Sequence, residues 1–331
     1  MSDELLVKDL GEHRLLERLQ GFCPPDIVGD DGAILAIAPH QSVVVTTDVL
    51  VDGVHFSDRT TSPFDVGWRA VAANLSDLAA MGSSPLGITV GLSLPGTKSV
   101  VWVEEVYRGM SACLQTYQTH LVGGDICRSK VTSLAITAMG EVLPHNAICR
   151  HHARVGDLVI VTGLHGLSRG GLEILLNPEQ GKMLTAEERD RLIEAHQRPK
   201  PRLDVLPHLK DIAEQTQIAG MDSSDGLADA VRQICQRSGV GAIIDLAQVS
   251  VFSGLVKLVG EDALAWVLHG GEDFELVLCL PEPEAIALLA KLDCNAVVVG
   301  KITAEKKILA IDSRNPMVKQ DLASREGFAH F

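Results

Sequence analysis

Carboxylates set beside glycines at the ends of apolar segments recur along this chain, and this recurrence constrains what it can fold into more than any other feature. The first instance runs from Val28 to Phe56. Gly29-Asp30-Asp31-Gly32 opens it, an apolar segment follows, and Thr46-Thr47-Asp48 closes it with Asp52 and His55 just beyond. Ser42 to Thr47 is β-branched and apolar enough for a buried strand, which predicts Asp48 where that strand leaves the sheet. Glycines around Asp30 and Asp31 let the backbone bend tightly and approach a ligand. A single Asp-Asp pair would pass for an ordinary polar turn. Four more acidic clusters shift that balance.

At 331 residues the chain exceeds one ordinary core, so two domains are expected. With 46% hydrophobic and 22% charged residues it has the balance of a globular protein. A net charge of −14 argues against a nucleic-acid partner, which needs a basic face, yet leaves phosphate binding open where metal ions intervene. The seven cysteines include no C-x-x-C pair and read as reduced thiols of a cytoplasmic protein, with no zinc expected. His151-His152 and Cys127 read as structural or exposed. No apolar run approaches the roughly 18 residues of a membrane span, and the charged MSDELLVKDLGEHRLLERL start is helical in pattern rather than a signal peptide.

Leu5, Leu6, Leu15, Leu16 and Leu19 predict one amphipathic helix over residues 5 to 20. Ser62, Pro63 and Asp65 spell a second helix start, and Trp68, Val71, Ala72, Leu75, Leu78, Ala79 and Met81 continue it to Gly82. Asn74 and Asp77, three apart, share a face of that apolar helix, where polar groups are costly without partners. Asp77 therefore reads as a metal ligand; Asn74 stands evenly between that site and a solvated role. A strand over Ile88 to Leu94, a helix over Val100 to Tyr117, a strand ending in Gly123-Gly124-Asp125 and a strand over Leu134 to Val142 give an α+β half with a mixed or antiparallel sheet. Pro144-His145-Asn146 breaks the pattern and divides residues 1–147 from 148–331.

The second half opens with a strand over Leu158 to Thr162 and the glycines Gly163, Gly166, Gly170 and Gly171. These match neither a Rossmann fingerprint nor a P-loop, and close chain packing is the better reading. Asp222-Ser223-Ser224-Asp225-Gly226 puts Asp222, Ser224 and Asp225 at a helix start, more acid than capping requires. Gly270-Gly271-Glu272-Asp273 leads into a strand over Phe274 to Leu280. Counted together, Asp30, Asp31, Asp48, Asp77, Asp125, Asp222 and Asp225 cannot converge without cations. Hard divalent ions with oxygen ligands suit them, and magnesium with phosphates suits them best. In-line phosphoryl transfer needs positioning and charge neutralisation rather than a reactive nucleophile, so such a set is chemically sufficient.

The ordered series resembles the thiamine-monophosphate kinase family. It consists of Gly29-Asp30-Asp31, Thr46-Thr47-Asp48 with Gly53-Val54-His55-Phe56, Asn74 to Gly82, Gly123-Gly124-Asp125, Asp222 to Leu227 and Gly271-Glu272-Asp273. Those kinases share a superfamily with aminoimidazole ribonucleotide synthetase, selenophosphate synthetase and a hydrogenase-maturation dehydratase. The likeness covers nearly the whole chain. His55-Phe56, the His196-Gln197-Arg198-Pro199-Lys200-Pro201-Arg202 segment and Gly327-Phe328-Ala329-His330-Phe331 favour the kinases. Cys23 lacks the glycine-rich setting of a selenophosphate synthetase nucleophile, and the last residue is Phe331 rather than the cysteine of the maturation protein.

The resemblance implies a two-domain fold of α+β and α/β character, with an amino-terminal mixed sheet used for dimerisation and a carboxy-terminal α/β domain. It implies ATP-dependent phosphorylation of thiamine monophosphate to thiamine diphosphate by a homodimer, with ATP in a cleft between the domains. Asp31, Thr46, Thr47, Asp48, Asp77, Asp125, Asp222 and Asp225 would hold several Mg²⁺ ions, with Asp48, Asp77 and Asp125 at the centre of the catalysis. Gly124, Asp125, Arg150 and Ser224 would contact ATP, Arg154 being the alternative to Arg150. His55, Glu272 and Phe328 would contact the thiamine moiety. Ser223 departs from the aliphatic residue usual there. A sibling enzyme of the superfamily and a non-catalytic Mg-nucleotide-binding regulator are the competing readings.

Overall fold

The structure is a computed structural model that describes residues 5–25, 27, 31–292, 295–315, 317 and 319–322. Asp30 and Phe328 lie outside the described residues. The chain divides into two compact units, Met1–Leu78 with Ser84–Val142, and Ala79–Ser83 with Leu143–Phe331.

In the first unit, residues 5 to 20 form two helices rather than the single one expected: α1 (Val7–Leu10) and α2 (Glu12–Gln20). Gly11 stands between them at φ +83° and donates its N–H to the Val7 carbonyl at 3.0 Å, which closes the first helix and restarts the second. Leu15 and Leu19 bury the inner face of α2. Strand β1 (Ser42–Val51), helix α3 (Pro63–Ala80), strand β2 (Ser84–Leu94), helix α4 (Val100–Thr116), and strands β3 (Leu121–Arg128) and β4 (Ser133–Val142) follow. The α3 start is built as its sequence predicts, since the Ser62 hydroxyl accepts the Asp65 N–H at 3.2 Å and donates to the Asp65 carboxylate at 2.6 Å.

The four strands form one sheet in the order β1-β4-β2-β3. Only β2 and β3 run parallel, which the α4 crossover between them permits. Strand β4 alternates without a break: Leu134, Ile136 and Ala138 are fully buried, while their neighbours are half-exposed. One face of the sheet is therefore packed and the other is open. Two sequence expectations fail here. Asp48 and Asp125 sit within strands rather than at their ends, Asp48 opposite Ile136 and Asp125 opposite Gly91. The main-chain N–H of Asp48 donates to Asn74 Oδ1 at 3.1 Å, so a polar side chain of α3 keeps it company in mid-strand.

The second unit carries β5 (Leu158–Val161), α5 (Leu167–Leu176), α6 (Ala186–Gln197), α7 (Leu206–Ala213), β6 (Ala219–Asp222), α8 (Leu227–Ser238), β7 (Gly241–Asp245), α9 (Ser253–Val259), α10 (Ala263–His269), β8 (Leu276–Leu280), α11 (Glu282–Leu289), β9 (Val297–Thr303), β10 (Ile308–Ile311) and β11 (Lys319–Asp321). Its strands form a seven-stranded sheet in the order β11-β10-β7-β9-β5-β8-β6. Both faces are covered. Val159, Val161, Val277 and Cys279 enter one core, while Ile160, Leu276, Leu278 and Leu280 enter another. Burial on both sides explains why β5 and β8 read as continuous apolar runs. Strand β8 begins at Leu276 rather than Phe274, because Glu272 and Phe274 adopt left-handed φ values of 58° and 54°, which a strand cannot contain. Asp222 is the last residue of β6 and α8 starts only at Leu227, so the acid belongs to a strand end rather than a helix start. Among the described residues, no helix is long and apolar enough to cross a membrane.

Candidate active site

On β1, alternate residues share a face, and that alternation sorts the Thr46-Thr47-Asp48 run. The Thr46 hydroxyl hydrogen-bonds the Asp77 carboxylate of α3. Asp48 lies on the same face, its N–H held by Asn74, and Asn74 in turn donates to the Ala70 carbonyl at 2.9 Å. Asn74 is fully buried, which excludes the solvated alternative. Thr47 faces the other way, its hydroxyl 2.9 Å from that of Thr137. Thr46, Asp48, Asn74 and Asp77 thus form one oxygen-rich group, and the Thr47 side chain is not part of it.

Asp125 belongs elsewhere. Register carries Asp48, Ile136, Val90 and Gly124 across the sheet in one row, and Val49, Ala135, Gly91 and Asp125 in the next. Asp125 therefore occupies the edge strand opposite to that of Asp48 and points to the open face, three strand spacings or about 14 Å away along the sheet. The β3 edge borders a cavity of about 230 Å³ lined by Asp125, Asp31, Gly124, Tyr107, Cys23 and Leu19. Gly124 is obligatory at this point, since a Cβ would stand 2.3 Å from the Val90 carbonyl oxygen. His55 closes the turn after β1, where its Nδ1 accepts the Val51 N–H at 3.1 Å.

In the second unit, the turn from β6 to α8 gathers Asp222, Ser224 and Asp225. The Ser224 hydroxyl donates to Asp222 Oδ1 at 3.1 Å, Asp222 is buried and Asp225 is exposed. No side chain caps α8, whose N-cap is Gly226, so these groups are not consumed by capping. Glu272 is fastened to the same turn by its N–H, which donates to the Ser224 carbonyl at 2.7 Å. Beside it, the Asp273 carboxylate accepts the N–H groups of Gly166 and Ser168 at 2.6 and 2.9 Å. Burial pushes the Asp273 carboxyl up to about 7, Glu275 and Glu272 add to the rise, and the two N–H donors oppose it. The His196 to Arg202 segment is internal support: His196 meets the Ser168 hydroxyl at 3.1 Å, and Arg202 donates to Glu275 and to the Thr162 carbonyl, both at 2.6 Å. Arg150 is exposed on a single 3-10 turn and donates to Gln233 at 2.7 Å, while Arg154 donates to Gln217 at 3.3 Å.

Comparison with known proteins gives the family. AIR synthase related protein, N-terminal domain, matches residues 29–142, and the corresponding C-terminal domain matches residues 154–312. The thiamine-monophosphate kinase of Synechococcus elongatus is 48% identical over 336 residues, spanning 100% of this chain and 99% of that protein. The chain belongs to the thiamine-monophosphate kinase family. A crystal structure of the Stenotrophomonas maltophilia member of this kinase family superposes with a TM-score of 0.78 at 33% identity, covering 89% of this chain and 95% of that one. AaThiL complexed with AMPPCP and TMP superposes with a TM-score of 0.74 at 30% identity, covering 93% and 96%. The two-domain fold expected from the sequence is the fold of these structures.

For a thiamine-monophosphate kinase, the donor chemistry suits Mg²⁺: every candidate ligand is a carboxylate or hydroxyl oxygen, with no nitrogen or sulfur among them. Sequence reasoning passed over Tyr107, which it placed only as part of a helix. Its ring lies in the cavity wall with Asp31 and Asp125, 5.7 Å from the Phe22 ring. The chain has only two tyrosines, and that scarcity was the available signal. Ser223 is buried at 1% exposure, and its hydroxyl has no hydrogen-bond partner among the described residues.

Proposed function

We propose that this chain transfers the terminal phosphoryl group of ATP to thiamine monophosphate, giving thiamine diphosphate and ADP. The observation that carries the reading is the oxygen-rich group of Thr46, Asp48, Asn74 and Asp77 in a chain 48% identical to a thiamine-monophosphate kinase along its whole length. A phosphate oxygen of the acceptor attacks the γ-phosphorus, a new P–O bond forms in line, and the bond to ADP breaks. Mg²⁺, when bound, neutralises the charge of the phosphates. In the amino-terminal unit Asp31, Thr46, Asp48, Asp77 and Asp125 would hold Mg²⁺ ions, and in the carboxy-terminal unit Asp222 and Asp225 would do so; Thr47, whose hydroxyl faces away from Thr46 and Asp48, would contribute only from the open face. Gly124, Ser224 and Arg150 contact ATP. Glu272, Phe328 and His55 receive the thiamine moiety, where a carboxylate and an aromatic face suit a cationic ring. Free cysteines at all six described positions suit a cytoplasmic setting.

The working unit is a homodimer whose amino-terminal sheets pair. Two observations support this. Val43, Val45 and Val49 on the open face of β1 are 49, 62 and 48% exposed, an apolar stripe that a second copy would cover. β1 and β3 are the two edge strands of the sheet, and pairing the β1 edge of one copy with the β3 edge of another would close both.

The test is ³¹P NMR of the purified protein with Mg-ATP, with and without thiamine monophosphate. Thiamine diphosphate and ADP should form together, and only with magnesium. ATP that stays intact despite measurable binding would reject the kinase reading and favour a regulator.

A further inference from the structure

Cys149, His151 and His152 bring one ligand atom each to within 4.8 Å of one another, although their spacing in the sequence gives no metal signature. They stand on one 3-10 turn, Arg150–His152, with Cys149 as its N-cap. That turn is held from several sides. The Ser238 hydroxyl, at the end of α8, donates to the Arg150 carbonyl at 2.8 Å and accepts the Ala153 N–H at 3.0 Å. The Cys149 N–H donates to the Ile218 carbonyl at 3.2 Å, and His152 Nδ1 lies 3.4 Å from the same oxygen. The two imidazoles meet edge to face with centroids 4.2 Å apart.

A tetrahedral zinc-class ion, with bonds of about 2.0 Å to nitrogen and about 2.3 Å to sulfur, holds its ligand atoms about 3.5 Å apart. The three atoms therefore need to close by little more than about 1 Å, a distance within reach of side-chain rotation. One thiolate and two imidazoles, with a fourth position for water, is a donor set that borderline-soft ions take and magnesium refuses. The contact of His152 with the Ile218 carbonyl is the kind of outer-shell bond that orients a ligating imidazole. His152 ligates as the neutral imidazole, and the Cys149 proton leaves as the metal–sulfur bond forms. The two neighbouring cations are drawn off, Arg150 to Gln233 and Arg154 to Gln217.

We propose that Cys149, His151 and His152 form a binding site for a zinc-class divalent cation, built from donors different from the magnesium set. Arg150 lies inside this triplet in the chain, so an ion there fixes the turn that carries Arg150. That effect on turnover rests on Arg150 contacting ATP; the binding itself does not.

Cobalt(II) is the probe, titrated into the full chain under excess magnesium. The wild-type protein should develop a thiolate-to-cobalt charge-transfer band, which oxygen ligands do not give. Cys149→Ser should abolish the band, and His151→Ala with His152→Ala should weaken cobalt binding at least about 10-fold. No band in the wild type, or a band that survives Cys149→Ser, overturns the site. In a parallel arm, Zn²⁺ should inhibit phosphoryl transfer in the wild type and spare Cys149→Ser; equal inhibition of both overturns the link to Arg150. Absence of turnover in either protein would count against the kinase reading and leave the cobalt result standing.

Discussion

Asp48 is placed by two elements at once, by β1 for its direction and by Asn74 of α3 for its main-chain N–H. Its side chain shares a strand face with Thr46, which bonds Asp77, so Asp48→Ala should lower phosphoryl transfer by about 100-fold or more without altering the circular dichroism spectrum or the thermal midpoint by more than a few degrees. Turnover like the wild type would remove Asp48 from the site. Ser223 makes the opposite forecast. A buried hydroxyl without a partner costs stability, so Ser223→Ala should raise the unfolding free energy by about 1 kcal/mol in urea titrations; a lower midpoint would mean the hydroxyl is satisfied in solution. The cost of polar groups in an apolar helix made Asn74 and Asp77 legible in the sequence. That Asp48 and Asp125 lie in mid-strand was not, because strand ends are set by pairing with distant segments, Ile136 opposite Asp48 and Gly91 opposite Asp125.

At the scale of elements, the glycines after β5 serve packing, as their sequence suggested. A Cβ on Gly171 would stand 2.1 Å from the Leu192 carbonyl, where α5 lies on α6. Gly171→Ala should therefore cost about 1–3 kcal/mol, seen as a lower urea midpoint; an unchanged midpoint would mean the helices separate freely. The start of α5 is fixed by Asp273, whose carboxyl is pushed up to about 7 from an ordinary value of 3.8. The folded chain then keeps a proton that the unfolded chain releases above about 4, so the stabilisation from protonated Asp273 is complete at low pH and fades as pH rises through 7. The stability gap between the wild type and Asp273→Asn should narrow from pH 4 to pH 7, and a constant gap would mean Asp273 does not titrate there. His165, held down at about 4 by burial, acts in the reverse sense, which is why the comparison needs the single-site variant. The left-handed residues Glu272 and Phe274 left no trace in the sequence, since neither is a residue type that signals such a turn.

For the whole molecule, strand order was the part that sequence could not supply. Periodicity names the strands, but the order β1-β4-β2-β3 depends on pairings between distant segments, and that order alone separates Asp48 from Asp125. The proposed pairing of the β1 edge of one copy with the β3 edge of another has a direct test. If it completes a site, Asp48→Ala and Asp125→Ala should each be inactive alone, yet mixing them under subunit exchange should restore about a quarter of wild-type activity, since half the dimers are mixed and one site in each carries both acids. No recovery after verified exchange would reject a site completed by two copies. The proposed dimer would tie turnover to abundance. Where chains are scarce enough for copies to separate, the active species would vary with the square of chain concentration, so halving expression would remove more than half of the flux. Sheet edges left open in the single copy would then set how much of the protein a cell must make before the reaction runs.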